Sequence, residues 1–395
     1  MAYIVDMRSD TVTKPTKAMK HAMVNSALGD DVYGEDPTVI TLQKKVATLL
    51  GKQASLFVPS GTMSNLIAVM VHCNKRGSEV ILGNLSHIYK YEQGGAAHVA
   101  GVQLTAVPNN PDGTFDLRDV EKRIRGSDIH EPITSLIAIE NTHNVCGGKD
   151  LNIECSIIIH TPCLSKLNIV IPLDWLDSVS ELCKKHSLPL HLDGARLLNA
   201  STHLQLPPER LVRGCDSISL CFSKGLSAPV GSVLVGSYHF IEQARRVRKM
   251  LGGGMRQAGV LAAPALVALD EVAPALALDH KRAQVLAKVI EGMFLKNFTV
   301  DVAGVHTNLV MVRIPESSSL TTQLVEQRLG QVCLAETQGD CKTPNDEGVI
   351  VKVCCFSDKL LRLTLHHDIC DEDLWLAIMK LTYVFRELEA AHPLH

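Results

Sequence analysis

Two short apolar runs in the stretch Pro189–Ser232 each stop at a residue able to do chemistry. The first, LPLHL, ends at Asp193, with Gly194, Ala195 and Arg196 following; the second, SISLCFS, ends at Lys224. Apolar runs of this length bounded by turn residues read as buried strands. In an open α/β sheet, ligands bind just outside the carboxyl ends of the strands. An acid and an amine placed there, one crossover apart, are what a pyridoxal phosphate (PLP) site needs. The amine bonds the cofactor covalently, and the carboxylate keeps the pyridine nitrogen protonated so that the ring accepts electrons. Each residue also has an ordinary alternative: a solvated strand end for Lys224, a helix cap for Asp193.

Other polar residues recur at the same kind of position. The run ASLFVPS ends at Ser60, and Gly61 and Thr62 open an apolar helix, MSNLIAVMVHC. A hydroxyl–glycine–hydroxyl turn at a helix N-terminus offers N–H and O–H groups to an anion, although Ser and Thr also serve there as plain N-caps. His87 follows the run SEVILGN, where an imidazole can stack on a ring or hydrogen-bond to it, or simply pack. TSLIAIEN ends at Glu140, with Thr142 and His143 next. Near the start, Ser9 and Asp10 precede a helix-like KAMKHAMVNSA and read as turn or cap residues. The gathering of polar residues at successive strand ends, more than any one of them, points to a ligand site.

The elements that must position these residues follow from composition and periodicity. The chain has 395 residues, 46% of them hydrophobic, with a formal net charge of −3. That length suits two domains or one large α/β domain with an appendage. The near-neutral charge and an aromatic content of 4% argue against nucleic acid as a partner. The twelve cysteines contain no C-x-x-C pair, so zinc is poorly supported. They read as small core residues of a reducing compartment, with Cys146 and Cys221 near the site as the alternative reactive thiols. The N-terminus lacks the apolar segment of a secretory signal. GVLAAPALVAL, the nearest approach to a membrane-spanning run, is too short, so a cytoplasmic location is expected. Alternating strands and helices occupy a large domain over residues 1–272, with an N-terminal arm at 1–37. A smaller α+β domain follows over 273–395.

Together these motifs resemble the threonine aldolase family, PLP enzymes of fold type I (the aspartate-aminotransferase fold). The resemblance rests on RSDTVTKPT, GDDVYGEDPTV, SGTMSN, H-x-x-x-Y-E from His87, ENTHNVCGG, HLDGAR, FSKGLSAPVGS and LGGGMRQAG, in the family's order across nearly the whole large domain. R-x-x-x-H-x-D from Arg362 to Asp368 anchors a looser match in the small domain. The resemblance implies a mostly parallel sheet sandwiched by helices. It implies a carbon–carbon lyase that cleaves L-threonine or L-allo-threonine to glycine and acetaldehyde. By resemblance, Lys224 bonds the cofactor, Asp193 faces the pyridine nitrogen, and Ser60, Gly61 and Thr62 cradle the phosphate. His87 stacks on the ring, Arg196 lies by the phenolate and the substrate carboxylate, and Ser9 and Arg362 hold that carboxylate. His143 approaches the substrate hydroxyl, and His87 or His143 takes its proton. Tyr33 and Arg256 reach into a neighbouring subunit's site, because family members are dimers of dimers.

The chain departs from the family pattern in one place. About twenty extra residues, near 150–170, separate the CGG turn from the helix LDWLDSV, directly after His143. Two other readings therefore stand beside the aldolase. One is a different fold-type-I lyase or an aminotransferase using the same lysine. The other is a PLP-binding subunit whose catalysis is impaired by the insertion.

Overall fold

The computed structural model describes residues 2–143, 170–339 and 341–394. All of the insertion but Val170 lies outside the described residues, as do Cys146, Cys155 and Cys163. The chain divides into two compact units, one formed by residues 13–143 and 170–274, the other by residues 2–12 and 275–394. The expected arm over residues 1–37 is thus shared between the units, because Tyr3–Asp6 pairs in parallel with Val349–Lys352.

Among the described residues the larger unit is built on seven strands: β1 (Ala54–Val58), β2 (Ser78–Gly83), β3 (Gln103–Val107), β4 (Ile133–Glu140), β5 (Leu190–Gly194), β6 (Ser217–Cys221) and β7 (Ser232–Gly236). Their order across the sheet is β1-β7-β6-β5-β4-β2-β3. Only β7 runs against its neighbours, pairing antiparallel with both β1 and β6; the remaining pairs are parallel. Strands β2, β5, β6 and β7 are buried along their whole length. A parallel strand covered on both faces has no water-facing side to keep polar, hence the continuous apolar runs rather than alternation.

Crossover helices fix which sheet edge the strand ends share. Helix α1 (Gly61–His72) links β1 to β2 and begins at Ser60, whose Oγ accepts a hydrogen bond from Met63 N at 3.2 Å. It buries Ile67, Ala68 and Val69 against the strands. Helix α2 (Leu173–Lys185) leads into β5 and buries Leu176, Val179 and Leu182. Each large apolar side chain so buried contributes roughly 1.5–3 kcal/mol, more than the roughly 1 kcal/mol of a single cap. Packing sets the helices' places, and the caps set where they start.

The run GVLAAPALVAL lies in a longer helical stretch than its own length suggests. The helical turns of Gly259–Glu291 continue for 33 residues, with a mean hydropathy of 1.7 in the most apolar window, enough by length and composition to cross a membrane. In its first turns Ala262 and Ala265 are fully buried, as expected of a core helix. The smaller unit carries a four-stranded antiparallel sheet, ordered Cys354–Ser357, Leu360–Thr364, Leu309–Arg313 and Thr299–Val300. Its core gathers Val310, Val312, Leu361, Leu363 and the inner face of the C-terminal helix Asp371–Ala391.

A buried ion pair ties the loop carrying Tyr33 to the larger unit. Arg248 donates to Asp31 Oδ2 at 2.7 Å and to the carbonyl of Phe57 at 2.6 Å, and both charged side chains are almost wholly buried. Removing one member strands the other's charge in the interior. Asp31→Ala should therefore cost about 3–5 kcal/mol of unfolding free energy in denaturant titration; a cost under about 1 kcal/mol would contradict this role.

Candidate active site

The carboxyl ends of β1, β2, β4, β5 and β6 converge on one sheet edge, as expected. Asp193 closes β5, and its side chain is almost fully buried at 4% exposure. One oxygen accepts from the backbone N–H of Ala195 at 3.1 Å, the other from the Asn65 amide at 2.8 Å. Lys224 lies three residues beyond β6, half-buried, its carbonyl held by Thr13 Oγ1 at 3.0 Å and by the Ser227 N–H at 2.8 Å. Arg196 is buried at the N-terminus of the helix Leu197–Leu204.

His87 opens a short helix after β2, and Glu140 at the end of β4 holds it there, accepting the His87 N–H at 2.8 Å. Its ring Nδ1 lies 3.0 Å from Glu92 Oε1. The bond to Glu92 pushes the His87 pKa up, while burial pushes Glu92 up against the lowering effect of that same bond. Ligand-capable atoms of His87, Glu92 and Asp193 all lie within 4.8 Å of one another.

Ser60, Gly61 and Thr62 stand at the N-terminus of α1, where backbone N–H groups and hydroxyls gather. A Cβ added at Gly61 would sit 3.6 Å from Ser232 Oγ. Ser232 starts β7 opposite Val58 and Cys221, so the antiparallel strand brings its amino end to the edge where its neighbours end. The hydroxyls of Ser227 and Ser232 are fully buried without a hydrogen-bond partner among the described residues. The unpaired, buried Ser232 hydroxyl beside a helix N-terminus suits a phosphate. With a half-buried amine and a buried carboxylate nearby, the residues present fit PLP.

The other sequence candidates fall in distinct places. His143, beyond β4, is 1% exposed and packs against Gly113, where an added Cβ would lie 2.8 Å from the His143 Cβ. Tyr33 is 76% exposed, while Arg256 pairs with Asp30 at 3.0 Å in the same loop region. In the smaller unit, Arg362 on Leu360–Thr364 donates to the Arg8 carbonyl at 3.2 Å, which brings it beside Ser9. Asn65, Glu92, Glu140 and Ser232 were not assigned roles from the sequence, though Asn65 and Glu92 lie inside the motifs SGTMSN and H-x-x-x-Y-E.

A seven-stranded, mostly parallel sheet with a lysine and a carboxylate on adjacent strand ends, beside an anion cradle, defines a fold-type-I PLP-dependent enzyme. The chain belongs to the beta-eliminating lyase family, which it matches over residues 6–166 and 166–317, and it groups there with the threonine aldolases. It is 45% identical over 373 residues to the low-specificity L-threonine aldolase 1 of Arabidopsis thaliana, covering 94% of this chain and 93% of the relative. It is 41% identical over 316 residues to the low specificity L-threonine aldolase of Escherichia coli O157:H7, covering 80% of this chain and 86% of the relative. Among solved structures, the threonine aldolase of Leishmania major superposes with a TM-score of 0.71 at 20% identity, over 97% of this chain and 99% of that one. That last likeness is one of fold.

Two neutral imidazoles beneath the site give the fold a pH signature. Burial lowers the pKa of His191 to about 4 and of His72 to about 3, from an ordinary value of 6.5. Below pH 6.5 the unfolded chain binds these protons and the folded chain does not, so stability is present above that pH and is lost as pH falls. The loss reaches roughly 1.4 kcal/mol per pH unit for each imidazole. Denaturant midpoints between pH 6.5 and 5 should fall more steeply for the wild type than for His191→Gln; equal slopes would contradict a neutral buried His191.

Proposed function

We propose that the chain is a PLP-dependent aldehyde-lyase that cleaves L-threonine and L-allo-threonine to glycine and acetaldehyde. The observation that carries this reading is the convergence of Asp193, His87, Lys224 and the Ser60–Thr62 turn on one sheet edge, in a chain matching named L-threonine aldolases along 94% of its length. When bound, PLP supplies an electron sink for the pair released as the Cα–Cβ bond breaks.

The chain's own residues do the rest. Lys224 contributes the amine that anchors the cofactor. Asp193, with both oxygens held by N–H donors, would be the partner of the pyridine nitrogen. Ser60, Gly61 and Thr62, with Ser232 beside them, offer donors to the phosphate. Arg362, beside Ser9, holds the substrate carboxylate through the guanidinium's fork of N–H groups. Holding the carboxylate sets the scissile bond's orientation; fixed geometry of this kind supplies several kcal/mol, near the low end of roughly 7–11 kcal/mol available from positioning.

A base must take the β-hydroxyl proton as the bond breaks. The half-buried, Glu92-linked His87 has the better access, whereas His143 is 1% exposed and packed beside Gly113; His143 then shapes the pocket wall. Tyr33 and Arg256 complete a neighbouring subunit's site in a dimer of dimers, a reading supported by Tyr33's 76% exposure. A cytoplasmic enzyme of amino-acid metabolism accords with these assignments.

Adding L-allo-threonine to PLP-loaded protein, with coupled detection of acetaldehyde, tests the reaction. Release of one acetaldehyde per glycine is expected; amino-group transfer without aldehyde would contradict it. Lys224→Ala should abolish the visible absorbance of the lysine-bound cofactor, and an unchanged band would remove Lys224 from its role. Arg362→Ala should raise KM at least tenfold while PLP stays bound; unchanged glycine binding would take the carboxylate contact away from Arg362.

A further inference from the structure

Behind Asp193 runs a chain of hydrogen bonds, buried as far as Ser217, that the reaction itself does not call for. The Asn65 amide nitrogen lies 2.8 Å from Asp193 Oδ2 and 2.8 Å from Glu92 Oε1. Asn65 Oδ1 lies 3.1 Å from His191 Nε2, and His191 Nδ1 lies 2.8 Å from Ser217 Oγ. The same Ser217 oxygen lies 2.8 Å from His72 Nε2. Asn65, His191 and Ser217 are each at most 1% exposed.

The direction of every bond follows from donor and acceptor rules. Facing two carboxylate oxygens, the Asn65 nitrogen is the NH2 group and spends both hydrogens on them. Its oxygen must then accept, so His191 carries its hydrogen on Nε2. The lone pair on His191 Nδ1 accepts from the Ser217 hydroxyl, whose oxygen in turn accepts from His72 Nε2–H. Burial lowers the pKa of both imidazoles, which agrees with the single-hydrogen tautomers this order requires. All the dipoles point their positive ends at the two carboxylates.

We propose that Asn65 is a positioning residue for the cofactor ring. Its amide, locked in one orientation by the His191–Ser217–His72 relay, divides its two N–H bonds between Asp193 and Glu92 and holds each carboxylate to its own task. Asp193 stays aimed at the pyridine nitrogen, and Glu92 stays on His87 Nδ1, fixing the ring and tautomer of the stacking histidine. Without the amide, two buried carboxylates beside one imidazole would compete for the same proton. The relay serves the PLP site argued above and rests on that reading.

The test uses Asn65→Ala and Asn65→Ser, with far-UV circular dichroism and melting of the apo-proteins as folding controls. Cofactor affinity is measured by equilibrium titration with PLP, and the pH midpoint of the bound cofactor's visible band by absorbance. A loss of at least tenfold in PLP affinity, with a shifted band midpoint, is expected for Asn65→Ala. A smaller loss is expected for Asn65→Ser, which keeps one donor and carries the test if the alanine variant does not fold. Wild-type affinity and band midpoint in a folded variant would overturn the inference and leave the PLP reading intact, since a merely structural asparagine would lower only the melting temperature. If the wild type itself forms no visible band with PLP, the functional reading fails and takes this inference with it.

Discussion

Two carboxylates, Asp193 and Glu92, are buried beside the half-buried His87, and this constraint organises the larger unit's site. Taking a charged group out of water costs several kcal/mol unless hydrogen bonds replace its hydration. Asp193 is satisfied by the Ala195 N–H and the Asn65 amide, and Glu92 by the same amide and the His87 ring. Each of those partners is itself positioned by an element of the sheet. Ala195 follows β5, Asn65 lies one turn into α1, and His87 is held by Glu140 at the end of β4. A shift of any one strand by a residue would flip its side chains to the opposite face and break the set.

The sheet's direction pattern explains why charges of both signs meet at one edge. Parallel strands end where the crossover helices begin, so chain ends and helix N-termini share a side. Strand β7, running against the others, adds the start of a strand to that side and with it the Ser232 hydroxyl beside Gly61. The Ser60–Thr62 turn, Ser232, Lys224 and Asp193 are therefore arranged across β1, β7, β6 and β5, contiguous in the sheet. The apolar packing that fixes this order supplies most of the energy. The polar groups set specificity within it.

Much of this was legible in the sequence because it is local. Asp193 and Lys224 stand out where apolar runs stop, and the Ser60–Gly61–Thr62 turn stands out where a helix starts. What escaped is set by tertiary pairing. Asn65 sits inside an apolar helix and reads as an ordinary helical residue until β5 brings Asp193 against it. Ser232 begins a run whose direction periodicity cannot reveal. Tyr3–Asp6 joins the smaller unit by pairing with Val349–Lys352, nearly the whole chain away, where no spacing rule reaches. His143 stands out by its place after β4, but its burial against Gly113 depends on the turn that follows β3 and is invisible in the motif.

If this sheet edge holds PLP through Lys224, the covalent bond itself can be trapped. PLP-loaded protein would be reduced with borohydride, which converts the lysine–cofactor C=N bond into a stable amine, then digested and mapped by mass spectrometry. One stoichiometric phosphopyridoxyl modification, on Lys224, is expected. Modification of another lysine in its place, or none at all, would contradict the site described here.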